Sequence, residues 1–278
     1  MLAIAFLLFP ILAVVLGSVQ TERSLIADPL NPLPDEFTLG NFLLVITGGE
    51  YRSPGMETAM LPASIQHFPR AFANSVFVAI SVTLLTVAFG SIASYTIARL
   101  RFRWARTFMY VNLATRMVPL IVLVVPLYVL LQKLRLLNSL PGLILTEVGF
   151  LLPLTIWILV AYFATLPQEL EDAARIDGCS RMRAFLGIIL PLSAPGLTAA
   201  GVIVFIISWH ELLLPLVVIT RPELTTVPIV LSSLVSDFWV FYTLMMAITL
   251  LALLPTVLLV LLLQRYVVSG LTSGAVKG

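Results

Sequence analysis

Histidine, cysteine and charge are all scarce in this chain, and each scarcity removes a class of function. Its 278 residues include one cysteine, two histidines and only 11% charged side chains. The lone Cys179 excludes an intrachain disulfide framework and a cysteine-rich metal site. His67 and His210 are the only histidines, and the HELLL run at 210–214 lacks the second histidine of a zinc-protease helix. No catalytic constellation and no metal site are expected. A G-x-x-x-x-G-K-[ST] loop is also missing, so any nucleotide that drives this chain is hydrolysed on another polypeptide. The net charge of +2 is spread among loops rather than gathered in a stripe, which argues against nucleic acid as a partner.

What is abundant is apolar side chain, at 60% of residues against roughly 45–50% in soluble domains. A bilayer core about 30 Å thick takes roughly 20 apolar residues per helix. Uncharged runs at 1–19, 72–98, 107–131, 143–165, 190–219 and 240–263 therefore predict an all-α, polytopic membrane protein. It would have about six transmembrane helices and form a single domain over 1–278, with the lipid bilayer as its surroundings. The first run lacks a basic leader and a clear small-residue cleavage site, so it reads as a retained helix.

Arginine placement orients the chain, because cytoplasmic loops carry the excess of Lys and Arg. Arg99, Arg101, Arg103 and Arg106 follow the second run; Arg175, Arg181 and Arg183 follow the fourth; Arg265 and Lys277 follow the sixth. These segments alternate onto one side. The other side holds Arg23, Arg52, Arg70, Lys133, Arg135 and Arg221 over a longer total length. Both termini are then expected in the cytoplasm. Residues 20–70 form the longest outer segment, broken by Pro29, Pro32, Pro34, Pro54, Pro62 and Gly48-Gly49. A short helix over Leu39–Ile46, started by Asp35 or Thr38, is its one regular feature.

The stretch from Leu166 to Pro195 interrupts the apolar pattern. Pro167 suits a first helical turn, and Glu169, Glu171 and Asp172 lie where the helix dipole favours acids. Arg175 falls four residues after Glu171. Gly178 can end that helix in the left-handed region, Ser180 can cap the next, and Met182, Phe185, Ile188 and Ile189 follow a helical stripe. The prediction is a helix, a turn and a second helix at the membrane surface.

These residues resemble the "EAA" loop of ATP-binding-cassette importer permeases, E-A-A-x-x-x-G followed by I-x-L-P. Here the loop reads Glu171-Asp172-Ala173-Ala174-Arg175-Ile176-Asp177-Gly178, then Ile188-Ile189-Leu190-Pro191. Asp172 departs from the strict form but fits the E-x-A-A-x-x-D-G of sugar-type permeases. The ending Gln264-Arg265 through Gly270-Leu271-Thr272-Ser273-Gly274-Ala275-Val276-Lys277-Gly278 is similar to the tail of the carbohydrate branch, as in maltose-type importers. Met117-Val118-Pro119, Pro126-Leu127-Tyr128, Leu136-Leu137-Asn138 and Trp209-His210-Glu211 agree with that branch, although His210 and Leu212 depart from its W-N-E-F element.

The resemblance implies a type I importer permease in the bacterial cytoplasmic (inner) membrane. It further implies a second homologous permease subunit, a cytoplasmic ATPase dimer that uses ATP and Mg, an extracytoplasmic solute-binding protein and a sugar-like solute. No cofactor would be bound by this chain itself. Residues 166–189 would be the coupling-helix loop, with Glu171, Ala173, Ala174, Asp177, Gly178, Arg181 and Phe185 as its site, and Glu171 free to meet an arginine of the ATPase. Residues 264–278 would be a cytoplasmic tail reaching toward that motor.

Ionisable groups within spans generally face a protein interior. Arg116, Glu147, His210 and Glu211 are the four, and Arg116 and Glu211 fall at similar depth, where they can pair. Sugars are met by aromatic faces and side-chain hydrogen bonds. The candidate pathway is therefore Arg116, Trp209, His210, Glu211, Asn112 and Tyr128, with Asn74 a further polar candidate. Pro119, Pro126, Pro153, Pro191, Pro195, Pro215 and Pro255 are hinges or static kinks. Two other readings stay open: an ion-gradient-driven secondary transporter, which would show inverted repeats that are not visible here, and an importer subunit for a non-sugar solute.

Overall fold

Proline placement decides where the apolar runs stay straight and where they break. The computed structural model describes residues 2–27, 33, 36–51, 61–100, 102–235 and 240–272. Asp35 as a helix start, Pro29, Pro32, Pro34, Pro54, Arg52, Arg101 and the tail from Ser273 onward lie outside the described residues. In chain order the helices are α1 (Leu2–Ser18), α2 (Glu22–Ala27), α3 (Gly40–Ile46), α4 (Phe68–Arg99), α5 (Ala105–Thr115), α6 (Leu120–Lys133) and α7 (Leu140–Phe163). There follow α8 (Glu169–Ile176), α9 (Arg181–Ala184), α10 (Leu190–Leu192), α11 (Ala194–Trp209), α12 (Leu213–Val218), α13 (Val227–Ser232) and α14 (Tyr242–Thr272). Among the described residues there is no strand, only an isolated bridge between Val235 and Val240.

Three stretches are long and apolar enough to cross a membrane alone: Ala63–Arg99, Leu140–Phe163 and Tyr242–Tyr266. Two bent pairs raise this to five: α5 with α6, at 95°, and Arg181–Leu192 with α11, at 74°. The sixth apolar run, α1, has 17 residues and rises about 25 Å at 1.5 Å per residue, short of the roughly 30 Å hydrocarbon core. The six predicted spans thus correspond to three stretches long enough to cross alone, two bent pairs and a shorter helix. Pro126, Pro153 and Pro255 are carried inside helices, whereas Pro119 and Pro195 sit beside breaks. Pro191 is accommodated differently. Its ring would strike the carbonyl of Gly187 four residues back, and the preceding Phe185–Ile189 turn is widened to a π-helix.

The chain forms two compact units, Met1–Val76 with Pro215–Val257, and Phe77–Leu214 with Leu258–Gly278. In the first, Leu44, Val45, Phe68, Val230, Leu244 and Ile248 are among the residues that build a buried apolar core. Thr38 accepts from the Gly40 amide at 3.0 Å, one residue before Leu39, the N-cap of α3. The buried Asn41 then ties α3 to the end of α1, donating to the carbonyls of Ser18 (2.9 Å) and Gln20 (2.7 Å). Asn74 is likewise structural, donating to the carbonyls of Glu223 and Thr225 at 3.0 Å each.

A buried acid starts the last helix. Glu22 accepts from the backbone amides of Tyr242 (3.0 Å) and Thr243 (2.9 Å) and from the Thr243 hydroxyl (2.7 Å). These are the orphan donors of α14's first turn, where the helix dipole also favours a carboxylate. Replacing Glu22 with Ala strands them in a site where Glu22 is only 5% exposed. The expected loss is about 1.5–3 kcal/mol, the scale of a hydrogen bond to a charged group, read as a lower melting midpoint of the purified protein in detergent.

In the second unit, Ser139 caps α7 by accepting from the Gly142 amide at 3.1 Å, and Ser94 of α4 donates to the Ile156 carbonyl of α7 at 3.1 Å. Gly196 lets α11 approach α7, because a Cβ there would collide with the Tyr162 ring. The outward faces of α6 and α14, including Ile121, Val125, Leu254, Leu258 and Leu262, stay exposed and apolar, as surfaces in hydrocarbon do.

Candidate functional site

Two polar places stand out in the second unit. The first is the helix pair after α7. The acids Glu169, Glu171 and Asp172 occupy the first turn of α8, and α8 ends at Gly178 with φ +84°. There the Cys179 amide donates to the Ala174 carbonyl (2.9 Å) and the Gly178 amide to that of Arg175 (3.1 Å). This paired closure needs a left-handed residue, which glycine supplies without strain. Ser180 then caps α9, accepting from the Arg183 amide at 3.3 Å.

The faces of this pair are unlike each other. Glu171 (7% exposed), Ala174 (5%) and Phe185 (2%) turn inward, while Ala173, Ile176, Asp177, Arg181 and Met182 face out. Glu171 Oε1 accepts from the Tyr95 hydroxyl of α4 at 2.7 Å. Phe185 packs on the same ring, with centroids 4.6 Å apart, and edge-on to Phe163 at 6.5 Å. Arg99, at the end of α4, donates to the Leu166 carbonyl at 2.7 Å. The helix pair is thereby fastened to the ends of α4 and α7. Sequence reasoning had turned Glu171 outward; here its Oε1 is engaged within the chain, and the outward acids are Glu169, Asp172 and Asp177.

The second place is a cavity of about 440 Å³ whose wall includes Thr115, Arg116, Glu147, Phe150, Ser208 and Glu211. Arg116 follows the last residue of α5, at the bend into α6, and donates to the Phe150 carbonyl at 3.0 Å. Glu211 lies in the break between α11 and α12, where its Oε1 accepts from the amides of Leu213 (2.9 Å) and Leu214 (3.1 Å). The two line one cavity but do not pair as the sequence suggested, because each is engaged by backbone at its own helix break. Glu147, 1% exposed on α7, accepts from the Ser208 hydroxyl.

The other pathway candidates lie elsewhere. Asn112 is buried and donates to the Pro153 carbonyl at 2.8 Å, joining α5 to α7. Trp209 is 2% exposed and stacks on Phe205, centroids 5.9 Å apart. His210 is exposed at the C-cap of α11, and Tyr128 is 42% exposed on α6. None of these four lines the cavity. Ser208 was missed, since a lone serine in an apolar run carries no signal, and Glu147 was visible only as a charge inside a span.

Apolar crossings, a mainly apolar cavity that carries Arg116, Glu147, Ser208 and Glu211, and a short helix pair fastened to the ends of α4 and α7 suit a membrane transport subunit. The chain belongs to the family of binding-protein-dependent transport system inner membrane components, whose model matches residues 86–273. It is 32% identical to the sulfoquinovosyl glycerol transport system permease protein SmoH of Agrobacterium fabrum, over 98% of this chain and 89% of that protein. To the trehalose/maltose transport system permease protein MalG of Thermococcus litoralis it is 34% identical, over 98% of this chain and 92% of that one. Its fold is similar to that of a chain in a bacterial ABC transporter involved in the import of the acidic polysaccharide alginate. The TM-score there is 0.76, with 17% identity over 95% of this chain and 92% of that chain. The protein is a multi-pass inner-membrane permease subunit of a binding-protein-dependent transport system of the ATP-binding-cassette type.

Proposed function

We propose that this permease forms half of the translocation pathway for a sugar or sugar-like solute and moves it by alternating access. The other half comes from a second homologous permease, an extracytoplasmic solute-binding protein delivers the solute, and a cytoplasmic ATPase dimer supplies the work with ATP and Mg. The observation that carries the sugar class is that relatives matching nearly the whole chain are named for sulfoquinovosyl glycerol and for trehalose and maltose.

Residues 166–189 are the coupling loop in this reading, with both termini and the 264–278 tail cytoplasmic. Ala173, Asp177 and Arg181 belong to its outward face, beside Ile176 at 86% exposure and Met182 at 59%. Glu171, Ala174 and Phe185 hold the loop from within, and Gly178 sets the angle between its helices. A rigid pair fastened to two spans converts closure of the motor into movement of those spans. Arg116 and Glu211 face the pathway; Asn112, Trp209, His210 and Tyr128 shape or flank it.

The test is uptake into proteoliposomes holding the assembled importer. Uptake of radiolabelled glucose, maltose or trehalose is expected to require ATP and an intact ATPase subunit and to survive an uncoupler. Uptake that persists without the ATPase and collapses with the uncoupler identifies an ion-gradient-driven carrier instead.

A further inference from the structure

The Glu147 carboxyl is half satisfied. Oε2 accepts from Ser208, whereas the buried Oε1 has no hydrogen-bond partner. Buried side-chain oxygens nearly always have one, because an unmatched polar atom in a low-dielectric interior costs free energy that folding does not recover. Glu147 is also part of the wall of the 440 Å³ cavity, a volume inside the roughly 300–1,000 Å³ usual for small-molecule sites. The terminal torsion of a glutamate is soft, so the carboxyl can rotate toward a donor that enters.

We propose that this cavity is a binding subsite for an uncharged polyhydroxylated solute, in which a solute hydroxyl donates to Glu147 and the Arg116 guanidinium donates to a neighbouring solute oxygen. The inference rests on the sugar reading above and adds to it a location and a residue that the sequence candidates did not include. The wall carries both signs of charge, Glu147 and Glu211 against Arg116. An anionic solute would face the carboxyl groups of Glu147 and Glu211, and a cationic one would face Arg116. Hydroxyl groups both donate and accept, so one molecule can satisfy all three. Arg116 spends one of its five N–H donors on Phe150, and Glu211 retains Oε2 after Oε1 has capped α12. Ser208, on the same wall, donates to Oε2.

The test measures binding of radiolabelled glucose, maltose and trehalose to the assembled importer in nanodiscs without its solute-binding protein, alongside ATP-driven uptake of the same sugars. Glu147→Leu is expected to weaken binding of the transported sugar at least tenfold and to slow its uptake, without lowering the melting midpoint of the complex. A residue that only supports packing would give the reverse, a lower midpoint with binding intact. Ser208→Ala accompanies Glu147→Leu, so that both partners of the buried hydrogen bond are removed together, which costs less than stranding the Ser208 hydroxyl alone. Glu147→Gln, which keeps one carbonyl oxygen, is expected to bind between the two and carries the test if the leucine variant does not assemble. Wild-type binding and uptake in both variants overturn the subsite while leaving the importer reading intact. Saturable binding of radiolabelled sodium that Glu147→Leu abolishes, with sugar binding unchanged, also overturns it in favour of a cation site. If the wild-type complex imports none of the three sugars, the sugar reading falls and the subsite falls with it.

Discussion

ATP-driven uptake is expected to fall in the order Gly178, Asn, Ala, Pro at position 178, with the proline variant near background. Gly178 sits at φ +84° with no neighbour within 4 Å of the place a Cβ would take. Alanine therefore meets no obstacle in space, and its cost is the left-handed backbone alone, roughly 1–2 kcal/mol. Asparagine tolerates that region better and should lie between glycine and alanine. Proline cannot adopt it at all, and also removes the N–H that closes on the Arg175 carbonyl at 3.1 Å. Its cost is about 3 kcal/mol or more, or a fall of roughly a hundredfold in the population of correctly bent loops.

These effects are local, because Gly178 is exposed and outside the buried cores. Each variant should insert and co-purify with its partner permease while losing uptake, and the loss should track the backbone cost. The measurement is the initial rate of uptake per assembled complex, with ATPase activity read in parallel. Equal rates in all four proteins would remove the bend from the path of force.

That bend was legible in the sequence because everything that makes it is local. Acids from Glu169 at a helix start, a glycine nine residues on and a serine after it are all within a dozen residues. The breaks in the spans were less legible. Trp209-His210-Glu211 contains neither proline nor glycine, yet α11 ends there. The cause is Pro215, which has no N–H for the Glu211 carbonyl four residues back, so the interruption falls upstream of the proline that produces it. The bend at Arg116 falls likewise upstream of its proline, three residues before Pro119. The Glu147–Ser208 and Tyr95–Glu171 contacts join residues 61 and 76 apart. They depend on which faces of α7, α11, α4 and α8 meet, and no single-segment pattern contains that information.

The Tyr95–Glu171 contact decides what the loop's buried acid does. Two roles are distinguishable: a strut that fixes the helix pair to α4, or a charge that reaches a partner. As a strut, the pair obeys the asymmetry of buried hydrogen bonds, in which removing one partner costs about 1–3 kcal/mol and removing both costs less. Tyr95→Phe keeps the ring against Phe185, 4.6 Å away, but leaves Glu171 Oε1 without its donor. Uptake should fall about tenfold, the equivalent of about 1.4 kcal/mol. Glu171→Gln still offers an oxygen to the Tyr95 hydroxyl and should retain most activity. Tyr95→Phe with Glu171→Leu should transport better than Tyr95→Phe alone, giving a double-mutant coupling of about 1–2 kcal/mol. A charge aimed at a partner makes the opposite demands. Glu171→Gln would then abolish coupling, Tyr95→Phe would matter little, and the double variant would be no better than Glu171→Leu. Uptake rates for the four variants beside the wild type, normalised to assembled complex, separate the two. With Glu171 only 7% exposed and its oxygen held at 2.7 Å, the strut is the expected outcome, and outward recognition then falls to Asp172, Ile176 and Asp177 on the opposite face of the same helix.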